Sequence, residues 1–132
     1  MRLINKIIVH CSATRKNQDI GVKEIDKLHK KNGWSEIGYH FVIRRNGEIE
    51  KGRDLEKVGA HCKGQNKNSI GICLIGGVNE ELKAENNFTA EQFISLRNLL
   101  CDLKLQFPTS SIHGHREFAA KDCPCFEVKD VL

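Results

Sequence analysis

Two short apolar runs constrain this chain of 132 residues most. Lys6-Ile7-Ile8-Val9-His10 is rich in β-branched residues, and Ser69-Ile70-Gly71-Ile72-Cys73-Leu74-Ile75 is a second run, closed by Gly76-Gly77. Both read as buried strands. Tyr39 to Arg45 alternates as a strand, and Asn46-Gly47 then reads as a two-residue hairpin turn into Glu48 to Lys51. A last strand is expected over Ser110 to His113. Between them, Gly21 to Lys31 has helical spacing at Val22, Ile25, Leu28 and His29, with Asn32-Gly33 as the stop. Thr89 begins a second helix: Gln92 completes a capping box, and Phe88 can staple to Phe93. Phe93, Leu96, Leu99, Leu100 and Leu103 form its buried stripe, and Pro108 lies just past its end. Strands alternating with two helices predict an α/β fold, a mixed sheet of about five strands flanked by helices.

The length fits one domain spanning 1–132, able to bury about two-thirds of its unfolded surface. Apolar residues at 39% and charged residues at 29% exclude a disordered chain. No apolar run approaches the ~20 residues of a membrane helix, so no membrane insertion is expected. The net charge is +4, with basic residues dispersed and no run longer than Lys30-Lys31 or Arg44-Arg45. A nucleic-acid partner is therefore not indicated. The six cysteines are too few for a disulfide scaffold, and Cys73 and Cys101 sit in apolar runs. Met1 to His10 has too short an apolar stretch and no small-residue cleavage site, which predicts no signal peptide. The expected site of synthesis is a reducing cytoplasm, with the cysteines as thiols or metal ligands.

The richest chemistry lies in His113-Gly114-His115-Arg116-Glu117-Phe118-Ala119-Ala120-Lys121-Asp122-Cys123-Pro124-Cys125. Two imidazoles and a thiolate suit a catalytic zinc site, which keeps three protein ligands and an open position. His10, at the end of the first strand, is a natural distant partner. Period-two alternation puts Ile8 and His10 on one face, with Ile7 and Val9 on the other. His113 and His115 would also point to one side of an extended segment and could chelate without His10. A strand-end histidine is usually a hydrogen-bonded surface residue, and Cys-x-Cys can be two inert thiols, so spacing alone leaves the ligand set open.

Four separated stretches carry a family resemblance, in order and across nearly the whole chain. His10-Cys11-Ser12-Ala13-Thr14, Gly38-Tyr39-His40-Phe41-Val42-Ile43, Gly64-x-Asn66-x-Asn68-Ser69-Ile70-Gly71-Ile72, and His115-Arg116-Glu117 with Lys121-x-Cys123-Pro124 resemble the zinc N-acetylmuramoyl-L-alanine amidases. That superfamily also contains the peptidoglycan recognition proteins. The resemblance implies Zn2+ held by His10, His115 and Cys123, with Tyr39 and Lys121 as catalytic groups. It selects His115 over His113, because Lys121 and Cys123 follow His115 at the family's spacing. It implies hydrolysis of the amide joining N-acetylmuramic acid to L-alanine in peptidoglycan. Relatives that only bind muropeptides lack the Cys123 thiolate, so its presence here favours catalysis over the alternative of a non-catalytic binding module.

The same resemblance places His61 near the substrate groove, as either a groove contact or a plain loop residue, and makes Cys125 a departure from the usual small residue, either an extra ligand or an oxidisable thiol. His40 is expected in the core or behind the site, on the strand face opposite Tyr39. His29 and Trp34 read as helix-end packing, and Asn68 and Ser69 as groups ordering the start of a strand. A phage or prophage endolysin is implied, acting as a monomer and reaching the wall through a holin-type hole. A phage RNA polymerase is a further partner implied by the family. It ranks below the wall because the lead before the His10 strand is short.

Overall fold

The parallel pairing of the two apolar runs organises the molecule. The structure, a computed structural model, describes residues 2–132; Met1, which opens the segment read for a signal peptide, lies outside them. The strands are β1 (Lys6–Cys11), β2 (Phe41–Ile43), β3 (Ile49–Lys51), β4 (Ser69–Leu74) and β5 (Ser111–Gly114). They form one sheet in the order β3-β2-β4-β1-β5. β1 lies parallel to both β4 and β5, β2 is parallel to β4, and β3 is antiparallel to β2. Central parallel strands are covered on both faces, which is why β1 and β4 are apolar without a polar alternation.

The helices are α1 (Val22–Lys31) and α2 (Ala90–Gln106). On one face Ile7, Val9, Phe41, Ile43, Ile70, Ile72 and Leu74 pack with Leu96, Leu99, Leu100 and Leu103 of α2. Each such fully buried aliphatic side chain contributes roughly 1.5–3 kcal/mol. On the other face Val42, Cys73 and Ile75 pack with Ile25 of α1 and with Ile37. Leu28, on the same predicted stripe, is 55% exposed, so α1 rests on the sheet mainly through Ile25.

Local sequence sets the ends of these elements. Thr89 caps α2 by accepting from the Gln92 N–H at 3.1 Å, and the Gln92 side chain accepts from the Thr89 N–H at 2.9 Å. Phe88 and Phe93 meet edge-on with centroids 5.9 Å apart, as the staple requires. At α1, the Glu24 carboxylate accepts from the Gly21 N–H at 2.7 Å.

The hairpin differs from the two-residue expectation. The Arg44 N–H donates to Glu48 at 2.9 Å and the Gly47 N–H to Arg44 at 2.8 Å, so the loop is Arg45-Asn46-Gly47. Gly47 takes φ +90° whereas Asn46 does not enter the left-handed region. One left-handed residue suits a three-residue turn ending in a glycine bulge, whereas the two-residue type needs two. The strand also begins later than expected, at Phe41, which leaves Tyr39 and His40 ahead of it and free of strict alternation.

Candidate active site

Alternation along β1 sends Ile7 and Val9 toward α2 and turns His10 to the opposite face, in register with Cys73 of β4. β5 runs beside β1, with Val9 opposite Gly114, so the 3-10 turn His115–Glu117 that follows β5 delivers His115 next to His10. The two rings lie 4.5 Å apart, with Nδ1 facing Nδ1 at 3.2 Å. Cys123 comes from the C-terminal loop. Its carbonyl accepts from the Arg116 N–H at 2.7 Å, and its Sγ accepts from the Cys11 N–H at 3.1 Å. One ligating atom each from His10, His115 and Cys123 lies within 4.8 Å of the others. The cluster can hold a metal ion.

The donor chemistry fits a cation. Two metal–nitrogen bonds of about 2.0–2.1 Å at a tetrahedral angle separate the nitrogens by about 3.3 Å, close to the 3.2 Å between the Nδ1 atoms. Burial, followed by His61, His115 and Lys121, holds His10 well below its ordinary pKa. Burial and then Lys121 lower His115. Both imidazoles are thus kept neutral, the form that ligates. If Nδ1 of His10 faces a cation, Nε2 carries the proton and donates to His61 Nδ1 at 2.8 Å. His61 Nε2 then donates to Ser69 Oγ at 3.2 Å. Every ring nitrogen in this chain has one consistent role, the arrangement that fixes the tautomer of a ligating histidine.

His61 lines the cleft but is only 8% exposed, and both of its nitrogens are engaged, so its direct contact is with His10. Burial, with His40 and His115 nearby, lowers its pKa to about 3. Gly71 makes the seat: a Cβ there would lie 2.6 Å from the His61 ring. The sequence reading missed the His10–His61 contact. The one signal for it was a glycine interrupting an otherwise apolar strand, which marks a close approach.

Around this cluster lies a cleft of about 720 Å³, within the range of ligand sites. Tyr39 stands over His10 with ring centroids 5.2 Å apart. Its phenol is held well above its ordinary pKa, first by burial and then by the Cys73, Cys123 and Cys11 sulfurs, so it stays a proton donor. Lys121 is exposed and lines the same cleft, near enough to His10 and His115 to depress both. His29 and Trp34 pack together at 4.5 Å, as their helix-end reading implies, and they also wall the cleft beside Tyr39.

Other candidates lie apart. His113 is taken by Glu117 at 2.8 Å and Ser111 at 2.6 Å, outside the ligating group. His40 is 1% exposed; its Nδ1 accepts from the Gly71 N–H at 3.1 Å and its Nε2 donates to Lys57 at 2.9 Å. Because Tyr39 and His40 precede the strand, both rings reach the histidine cluster, and His40 sits 5.9 Å from His61. Asn68 donates to Leu3 at 2.8 Å, tying the start of β4 to the N-terminal segment. Cys125 turns its Sγ to the Gly77 carbonyl at 3.2 Å, outside the ligating group.

A metal-competent cluster beneath an open cleft is a hydrolase-like arrangement, and comparison with known proteins narrows it. The chain is 49% identical over 123 residues to the endolysin of Escherichia phage T7, covering 93% of this chain and 82% of the relative. It is 47% identical over 125 residues to the endolysin of Klebsiella phage KP32, covering 95% and 83%. The fold superposes on the N-acetylmuramoyl-L-alanine amidase LysC from Clostridium intestinale with a TM-score of 0.86 at 32% identity, covering 98% of this chain and 83% of that one. Residues 1–126 match the N-acetylmuramoyl-L-alanine amidase family (Amidase_2), and the chain belongs to that family.

Proposed function

We propose that this chain, as one domain over 1–132, is an endolysin-type N-acetylmuramoyl-L-alanine amidase that uses zinc. It hydrolyses the amide between the lactyl group of N-acetylmuramic acid and L-alanine in bacterial peptidoglycan. The observation that carries this reading is the meeting of His10, His115 and Cys123 within 4.8 Å at the floor of the cleft. Two imidazoles and one thiolate are a nitrogen–sulfur set suited to zinc, with a position left over for water. A bound zinc ion supplies a Lewis acid for the scissile carbonyl and activates water near neutral pH.

The protein's own groups do the rest. His61 holds the His10 ring in the orientation that exposes Nδ1. The Lys121 ammonium at the cleft wall stabilises negative charge growing on the carbonyl oxygen, and removing such a donor costs about 10²–10³-fold in rate. The Tyr39 phenol, kept protonated, donates a hydrogen bond to the same oxygen. The wall of His29 and Trp34 offers apolar area to the substrate beside the reacting centre. The site of action is the cell wall, reached after release from the cell interior.

The direct test combines elemental analysis with digestion of purified walls. Close to one zinc per chain, with new alanine amino groups appearing as walls dissolve, is the expected result. New reducing sugar ends without amines would overturn the amidase assignment. Bound zinc without any amine release would favour a module that holds muropeptides uncut.

A further inference from the structure

Cys11 and Cys125 are absorbed by no step of the proposed chemistry, yet their sulfurs face each other at 3.9 Å. The pocket they share is built by Gly77, which takes φ +108°. A Cβ at Gly77 would lie 2.7 Å from Cys11 Sγ, too close to fit, and 3.7 Å from Cys125 Sγ, an ordinary contact, so glycine leaves room for the Cys11 sulfur beside its partner. The two segments involved are those that deliver ligating residues: Cys11 follows His10 on β1, and Cys125 lies two residues beyond Cys123.

We propose that Cys11 and Cys125 form a disulfide under oxidising conditions, clamping β1 to the C-terminal loop while Cys123 stays free to ligate. Each sulfur must travel about 1 Å to close 3.9 Å to a bond of about 2.0 Å. Cys123 is a poorer partner for Cys11, because its sulfur faces His10 and His115 as part of the ligating group. The redox step balances with a disulfide oxidant such as oxidised glutathione. The sulfur of Cys125, partly exposed, gives up its proton as it attacks the oxidant and releases one thiol. The Cys11 sulfur then attacks the mixed disulfide, gives up its proton and releases the second thiol, so two protons leave the protein and two electrons reduce the oxidant. The bond closes a loop of more than 100 residues, the regime in which a crosslink restricts the unfolded chain most. The proposal concerns the sulfur pair and stands whether or not the bound metal is zinc.

The test uses the metal-loaded full chain carrying Cys101→Ser, since Cys101 is exposed and would form crosslinks between molecules. After incubation with oxidised glutathione at mildly alkaline pH, two thiols are lost. Tandem mass spectrometry then finds the Cys11 peptide joined to Cys125, which shares its tryptic peptide with Cys123. The melting temperature rises by roughly 10 °C, falls back on reduction, and the metal is retained. In the Cys125→Ser variant, which removes only the partly exposed partner, both the crosslink and the rise disappear. A link through Cys123, no link at all, or a link with an unchanged or lowered melting temperature would each overturn the clamp.

Discussion

The two faces of this sheet are made by alternate residues of the same strands and have opposite fates. Toward α2, Ile7, Val9, Ile70, Ile72 and Leu74 meet four leucines in a sealed apolar layer. Toward α1, His10, Gly71 and Cys73 hold a layer of imidazoles and thiols under a cleft. One helix is long and covers its face, whereas the other is short and buries chiefly Ile25. A single strand can thus anchor the fold with one set of residues and present a reactive group with the next. The sealed face supplies rigidity, and the open face uses it to hold three ligating atoms in register.

This contrast makes separable predictions. The largest effect is expected for Cys123→Ser, which should lose the metal and about 10³-fold or more in wall hydrolysis with the fold intact. Elemental analysis, turnover and circular dichroism check it together. Lys121→Ala should retain metal and stability and lose about 10²–10³-fold in turnover. Metal loss in that variant would break the division of labour drawn above. On the sealed face, Leu100→Ala should cost about 2–5 kcal/mol in urea unfolding with unchanged metal stoichiometry, because Leu100 is 1% exposed.

Finer effects probe what lies behind the ligands. His61→Ala should weaken metal affinity about 10–100-fold in a chelator competition, and His61→Gln should recover part of it by accepting from His10. An unchanged affinity would reduce His61 to a plain wall of the cleft. A separate effect concerns pH. Burial lowers the His40 pKa to about 4, below the ordinary 6.5, so the unfolded chain binds the proton more readily. Stability from this group is complete above about pH 6.5 and is lost as the pH falls toward 4. His40→Gln should flatten the fall in unfolding free energy across that window, read from urea titrations, by up to roughly 1.4 kcal/mol per pH unit.

Local rules in the sequence account for much of this architecture. The Thr89 capping box, the Phe88–Phe93 staple and the apolar runs of β1 and β4 depend on neighbours a few positions away, so periodicity and turn chemistry exposed them. The hairpin was placed correctly but misjudged in type, because Asn-Gly suits more than one turn and the pairing of Arg44 with Glu48 decides between them. The expected opposite faces for Tyr39 and His40 failed because strand alternation applies only from Phe41 onward. The triad of His10, His115 and Cys123 was nameable from motif resemblance, while spacing alone left His113 equally eligible.

The sequence by itself determined which residues carry chemistry and which strands are buried, because residue type and short-range periodicity are written along the chain. Tertiary structure decided which of those residues meet. Packing β5 against β1 put His115 beside His10 across 105 positions, and β1 against β4 seated His61 on Gly71. The turn after Cys123 brought Cys125 to Cys11. These contacts depend on strand order and loop path, which long-range packing sets and no local pattern records.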